Sequence, residues 1–430
     1  MNSLLALSIL CRVKLGLDRY EIVIVGAGPV GLLMASFLGR NDISVLLLEA
    51  RGTRPMNTGG RTSQDTSTRA IGVSIPTLEI FERLGLAATL RDSGVAVPVV
   101  HMCSSNRELG LVDFRDAGSR FQYVLSIPQG KTCEILETDL LNLDSVELRR
   151  GHRVETIDEI ESAIEIRGLT TASDPFSVQG RFVIGCDGGN SIARESAGIG
   201  FVGDSYGDTF LMGDYIDRTG WGDEAYVFST PRGSVESFPM PGGLRRYVLS
   251  TEDLVEANES TYLEDEIPCR CGVVVAPEEK SWESAFTVER RIATAYTHSR
   301  TVLAGDSAHL MSPIVGQNMN TGFADVEFLS EILPLVLRDE SKSKELFRTY
   351  DRIRRRAAIA ATRRAWLMMR LATTRGRFWS RIRALGMTLI FRLLPGTIVA
   401  SLFSMTSIPN RNVERIQNFY PRIGDLRGAR

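Results

Sequence analysis

Histidine and cysteine are scarce in this chain of 430 residues, which holds four His and six Cys. Cys269 and Cys271 are the only close pair, and one intervening residue without a second pair is a poor zinc pattern. No metal site is expected, and the six cysteines read as ordinary reduced thiols of a cytoplasmic protein. Uncharged apolar runs of about 18 residues are missing too, so no spanning helix is expected. Charge of one sign is not in excess overall. A net charge of -2 gives no case for a nucleic-acid partner. That average hides an asymmetry. From Arg348 to Arg392 there are thirteen Arg, no Lys and one acid, Asp351, a net +12 that leaves the remainder at -14. Residues 1–18 read as a leader: the apolar run precedes its charges, and no small-residue cleavage site follows.

What is present is a chain of buried strands and helices. Glu21–Val25 is a short apolar run ending in Gly26, which predicts a buried parallel strand. A helical stretch, Leu32–Gly39, and a second apolar strand, Ser44–Leu48, follow and end at Glu49. The chain between Arg51 and Thr68 reads as loop, and Ile75–Leu86 as an amphipathic helix. A helix is also expected over Asp139–Leu148, from the apolar spacing of Leu140, Leu141, Leu143 and Val146. Short runs between 205 and 290, separated by Gly and Pro, predict an antiparallel sheet. A final strand at Thr301–Ala304 precedes a helix from near Met319 to Leu337, and 343–392 looks helical throughout.

Gly26-Ala-Gly28-Pro-Val-Gly31 lies between strand and helix, with an acid 21 residues after Gly28. In that context the spacing points to a dinucleotide. Gly26 permits the tight turn, Gly28 lets a pyrophosphate reach the backbone, and Gly31 lets helix and strand pack closely. The helix N-terminus offers free N–H groups and positive dipole to the phosphates. Glu49 is placed to accept hydrogen bonds from ribose hydroxyls.

Two further segments narrow the class: Cys186-Asp-Gly-Gly-Asn-Ser191-Ile-Ala-Arg194, and Ala304-Gly-Asp306-Ser-Ala-His309-Leu-Met-Ser-Pro313, continuing as Gly316-Gln-Asn-Met-Asn320-Thr-Gly322. With the glycine motif and Glu49, they make the chain resemble the single-component FAD-dependent aromatic hydroxylases typified by p-hydroxybenzoate hydroxylase, over about residues 20–335. The resemblance implies an α/β fold: a Rossmann-like FAD-binding domain of the GR2 type (19–95, 125–200 and 295–342), an inserted, mainly antiparallel substrate domain (96–124 and 201–294) and a C-terminal helical region (343–430).

It also implies a chemistry. The cofactor would be FAD, with NADPH or NADH as a transient reductant and O2 as co-substrate. A C4a-hydroperoxyflavin would hydroxylate or epoxidise an aromatic or other electron-rich, lipophilic small molecule. Asp306 would bond the ribityl chain, and Pro313 and Gly316 would lie in the loop beside the flavin ring. Asn318, Met319 and Asn320 would aim a helix N-terminus at the negative charge of reduced flavin. The family has Gly where this chain has Asn318, and Asn tolerates a left-handed backbone better than most residues. Arg69, Gln129 and Arg51 would meet the polar chain and the adenosine, and Asp187 and Arg194 match a motif linked to both FAD and reduced nicotinamide. His309 reads as a packing or supporting residue. Tyr226, Phe228, Phe238, Met240 and Tyr247 alternate with polar residues and are expected either to line the substrate pocket or to form core.

A halogenase and a geranylgeranyl-type reductase share this fold, as would a FAD-bound protein without turnover. The halogenase Trp-x-Trp-x-Ile-Pro segment is missing; its nearest approach is Trp282-Glu-Ser-Ala-Phe. Two readings stand for the basic helices of 352–392. Either their apolar face packs on the core while the Arg residues meet the acidic remainder, or they lie on an anionic bilayer as a peripheral membrane contact.

Overall fold

A computed structural model describes residues 18–52, 71–105, 107–255, 261–312 and 316–407. Residues 1–17 of the leader, Arg69, Pro313 and the tail after Pro409 lie outside these residues, and the leader's last residue, Asp18, opens the first strand. β1 (Asp18–Val25), α1 (Pro29–Gly39) and β2 (Val45–Glu49) form the opening unit. Ile22–Ile24 and Val45–Leu48 are wholly buried, as in a parallel sheet covered on both faces. β3 (Gly72–Val73) is followed by α2 (Ile75–Arg83) and α3 (Ala87–Ser93). The helix expected over 75–86 therefore ends early, at Arg83, before Gly85 with φ +75°, and a second helix starts at Ala87.

β4 (Val95–Val97), β5 (Val99–Ser104), β6 (Arg107–Asp113) and β7 (Val124–Ser126) follow, then α4 (Gln129–Leu140) and β8 (Val146–Arg150). The helix expected over 139–148 is not there. Pro128 starts α4 earlier, Leu141 is exposed, and Leu143 and Val146 are apolar because they cover Gly39. Val146 then pairs with Val45 in the sheet. Next come β9 (His152–Ile160), β10 (Ala163–Thr170), β11 (Pro175–Gly185) and α5 (Ile192–Ser196). The main sheet runs β17 (Thr297–His298), β18 (Thr301–Leu303), β11, β1, β2 and β8, with β10 and β9 branching from β11.

A second sheet is built from β12 (Phe201–Ile216), β13 (Ala225–Thr230), β14 (Gly233–Met240), β15 (Leu244–Thr251) and β16 (Lys280–Ala293). Its order is β19 (His309–Leu310), β16, β12, β15, β14, β13, β5 and β6, antiparallel except where β13 meets β5. α6 (Tyr262–Cys271) covers its far face. β17 (Thr297–His298), β18 (Thr301–Leu303) and β19 (His309–Leu310) return the chain to the first sheet and then to the edge of the second. α7 (Gln317–Arg338) packs between α1, α2 and α8 (Ser343–Thr373).

The helical stretch expected over 343–392 breaks at residues 374–376. Gly376 has φ +97°, and its N–H donates to the Pro231 carbonyl at 2.9 Å. α9 (Arg377–Leu393) and α10 (Gly396–Phe403) follow, bent by 120° at Leu394–Pro395. No single helix among the described residues is long and apolar enough to cross a membrane.

Candidate functional site

A cavity of about 1670 Å³ opens between the two sheets. One end is the β1–α1 turn. Gly26 has φ +100°, and a Cβ there would lie 2.5 Å from the Cys186 carbonyl oxygen. A Cβ on Gly31 would lie 2.0 Å from the Gly26 oxygen, so both positions exclude any side chain. Gly28 differs: a Cβ there would meet nothing within 4 Å, since the position faces the cavity at the uncapped N-terminus of α1.

Glu49 is buried at the end of β2. It accepts from the Ala27 N–H at 2.9 Å and from the Arg51 backbone and side chain at 3.0 Å each. Burial pushes its carboxyl up, but these bonds to Arg51 and Ala27 outweigh it and hold the group below the usual range. Glu49, Arg51 and Gln129, the first residue of α4, all line the cavity.

The loop after β18 brings Asp306 to the same cavity, where it accepts from Asn318 Nδ2 at 2.9 Å. Burial pushes the Asp306 carboxyl above its ordinary value, against the pull of His309 and Asn318. Gly316 is left-handed, with φ +63°, and ends the loop into α7. Asn318 lies one residue inside that helix and needs no left-handed backbone; its side chain serves by reaching Asp306. Met319 lines the cavity with it. Asn320 also lines the cavity but is committed locally. It donates to the Gly72 and Gly316 carbonyls and accepts from the Ser74 N–H, tying α7 to β3.

Asp187 faces the cavity from the loop after β11 and accepts from Ser191 Oγ at 2.5 Å and the Ala193 N–H at 3.1 Å. Burial pushes its carboxyl up. Arg194 points away. Its guanidinium donates to the Ser307 and Gly189 carbonyls at 3.1 and 2.8 Å, clamping two loops together, and covers the Phe201 ring.

Behind Asp306 lies a network that the motifs do not announce. Asp325 of α7 accepts from the Gly305 N–H at 3.1 Å, from His309 Nε2 at 2.8 Å and from Arg354 Nε at 2.8 Å. Asp325, His309 and Arg354 are fully buried. An acid in the otherwise apolar Phe323–Val326 stretch was the available signal; Arg354 is one of several Arg in a row.

The other cavity wall is one face of the second sheet. Phe210, Met212, Val227, Glu236, Phe238, Arg246, Val248 and Phe286 line it. Tyr226 and Tyr247 do not. Side chains alternate along a strand, and these two share the opposite face with Phe228, packed against α6. Trp221 stacks on Tyr226, and Tyr247 meets Tyr215. Of the expected aromatic lining, Phe238 alone faces the cavity; Met240 is buried beside Ser126. Arg246 is held by both oxygens of Asp214 at 2.6 Å and lies over the Trp282 ring.

α9 closes the cavity with Ile382, Arg383, Met387, Ile390 and Phe391. Arg383 donates to the carbonyls of Leu371, Ala372, Thr374 and Thr230, pinning α9 to the end of α8 and to β13.

Fold and site together define a dinucleotide-binding flavoprotein. More particularly, the chain belongs to the FAD-binding domain family, whose profile matches residues 19–365. It is 28% identical over 371 residues to a 3-(3-hydroxy-phenyl)propionate/3-hydroxycinnamic acid hydroxylase of Mycobacterium sp. (strain JLS), covering 84% of this chain and 62% of that protein. This chain thus spans under two thirds of that hydroxylase. A 12-dehydrotetracycline 5-monooxygenase/anhydrotetracycline 6-monooxygenase of Streptomyces rimosus is 28% identical over 80% of this chain and 68% of its own. The crystal structure of p-nitrophenol 4-monooxygenase PnpA from Pseudomonas putida DLL-E4 has the same fold. Its TM-score is 0.81 over 92% of this chain and 99% of that one, at 22% identity.

The residues present fit FAD. Gly28 leaves open space at a helix N-terminus, Asp306 carries one hydrogen bond among the described residues, and Asn318 Oδ1 is buried without a partner. Acceptors are thus free for ribityl hydroxyls, and N–H donors for a pyrophosphate.

Proposed function

We propose that the chain is a FAD-dependent monooxygenase that uses NADPH or NADH and O2 to hydroxylate or epoxidise an aromatic or other electron-rich small molecule. The observation that carries this is the single continuous cavity. It joins Gly28, Glu49 and Asp306 to an apolar wall containing Phe210, Phe238 and Phe286. Glu49, Gln129, Asp306 and Asn318 would hold the cofactor, and bound FAD supplies the oxygen-activating redox chemistry. The sheet face and α9 hold the substrate and exclude water. The hydroxylase relatives support an aromatic substrate.

Denaturing the purified protein should release FAD, and a phenol panel should raise NAD(P)H and O2 consumption together. 3-(3-Hydroxyphenyl)propionate, p-nitrophenol and anhydrotetracycline are suitable members. Release of NAD alone would sink the assignment, and turnover without O2 consumption would favour the reductase reading.

The same proposal includes a peripheral membrane contact. Phe378, Trp379, Leu385 and Leu393 of α9 are exposed at 67, 57, 69 and 70%. Arg377, Arg381 and Arg392 on that helix have no carboxylate partner among the described residues. An apolar row flanked by unpaired cations suits an anionic lipid surface. Vesicles rich in phosphatidylserine should sediment the protein at low salt and release it at high salt. No sedimentation at any salt removes this part.

A further inference from the structure

Glu236 stands out among the groups that the cofactor site does not use. It sits mid-strand in β14, opposite Val227 on one side and Val248 on the other. Register places all three on one sheet face, and all three line the cavity. Glu236 is 8% exposed and has no hydrogen bond or ion pair with any described residue. A buried carboxylate without a partner is rare, because leaving an acceptor unmade costs the full desolvation of the group.

The four arginines that line this cavity are already committed: Arg51 pairs with Glu49 and Arg153 with Glu155. Arg246 of β15 gives Nε and Nη2 to Asp214, and Arg383 of α9 gives its donors to four carbonyls. Glu289 of β16 lines the cavity as a further carboxylate. β12 and β13 face it here with Phe210, Met212, Val227 and Ser229. Glu289 is paired with Arg291, whereas Glu236, on an apolar wall, is left as an acceptor for a ligand.

We propose that Glu236 accepts a hydrogen bond from an acidic hydroxyl on the substrate ring and takes its proton, so that the site selects phenols over their ethers. The inference rests on the monooxygenase reading and names the substrate class of that site. In the step, the substrate O–H bond breaks and an O–H bond forms on a Glu236 oxygen. The bonding pair stays on the substrate oxygen as a phenolate, which raises electron density at the ring carbons that receive oxygen. Glu236 returns the proton to that same oxygen in the product, so it ends the cycle as a carboxylate. Burial pushes the Glu236 carboxyl up to about 7, close to the working pH that general-base catalysis favours.

The test is calorimetric binding of 1-naphthol and of 1-methoxynaphthalene to the FAD-loaded wild type, E236Q and E236D. In the wild type at pH 8, 1-naphthol should bind roughly 10- to 150-fold tighter than the ether, the range expected of a hydrogen bond to a charged group. That preference should fade as the pH falls below about 7. E236Q keeps only a neutral amide acceptor, so its preference for 1-naphthol should be much smaller and should not change with pH. E236D, which keeps the charge, should retain part of the preference. Wild type without preference, or E236Q with the full preference, overturns the proposal. FAD released from denatured wild type reports separately on the monooxygenase reading, since it does not depend on Glu236.

Discussion

At the scale of single residues, the cavity rests on carboxylates with distinct tasks. Asp306 is an acceptor still largely unused, and Asp306→Ala removes it from the hydroxyl donors it would serve. An unpaired donor costs about 1–3 kcal/mol, so FAD retention should weaken roughly 5- to 150-fold by fluorescence titration. Gly28→Val should keep the fold, since a Cβ there meets nothing within 4 Å, yet lose more FAD than Asp306→Ala. A Gly28→Val protein that kept its FAD would contradict the placing of the pyrophosphate. Asp325 works differently, as the hub that holds Gly305, His309 and Arg354. Asp325→Ala leaves Arg354 as an uncompensated buried charge, a loss of about 3–5 kcal/mol in urea unfolding. The sign of its pH effect follows from its environment. Burial raises the Asp325 carboxyl, but Arg354 and His309 outweigh that and hold it below the ordinary value. Its stabilisation is therefore complete above the unfolded value of about 3.9 and is lost as pH falls through the lower folded value. Wild type should lose stability steeply below about pH 4, and Asp325→Ala should lose less over the same range.

At the scale of elements, α9 has two faces with separate uses. Its inner face closes the cavity, and Arg383 holds it there by four carbonyl contacts. Arg383→Ala leaves those carbonyls without a donor, at about 1–3 kcal/mol for each one that stays buried. The bend at 374–376 should then open, and limited proteolysis should cut there first. Arg383→Lys should not rescue it, because a single ammonium cannot replace a planar fork. Elements also show where sequence pattern runs short. The β1–α1–β2 unit was legible because Gly26 and Gly31 have a steric reason to be there and Gly28 faces the cavity. The helix expected over 139–148 was not, since Leu143 and Val146 answer to Gly39 of a distant helix. Alternation along β13 and β15 was visible, but which face met the cavity was not. That depends on α6 covering one side, which no strand encodes by itself, so Tyr226 and Tyr247 fell on the wrong face.

At the scale of the whole molecule, two sheets meet across one cavity, and the residues between them carry the costs of that meeting. Asp306, Asp187 and Glu236 each have a carboxyl raised by burial, and each lines the cavity. Motif position made the first two legible. Glu236 was not, because its meaning comes from Val227 and Val248 on neighbouring strands and from cations that are spent elsewhere. The cost at Glu236 has a definite sign. Folding raises it from an ordinary 4.5 to about 7, so the folded chain holds that proton more tightly than the unfolded one. Below about pH 4.5 both states are protonated and the shift costs nothing. As pH rises from there to 7, stability falls, and above 7 the loss is constant. With 1.36 kcal/mol per unit, the full effect is about 3 kcal/mol. E236Q cannot ionise and escapes it. Urea unfolding of FAD-loaded wild type and E236Q at about pH 4 and pH 8 should show the difference moving toward the variant by about that amount. 1-Naphthol at one fixed concentration at pH 8 should narrow the gap, because the wild type binds it more tightly and is stabilised more than the variant. A pH-independent difference would mean that Glu236 already has a partner in the folded protein, and with it the phenol site would fall.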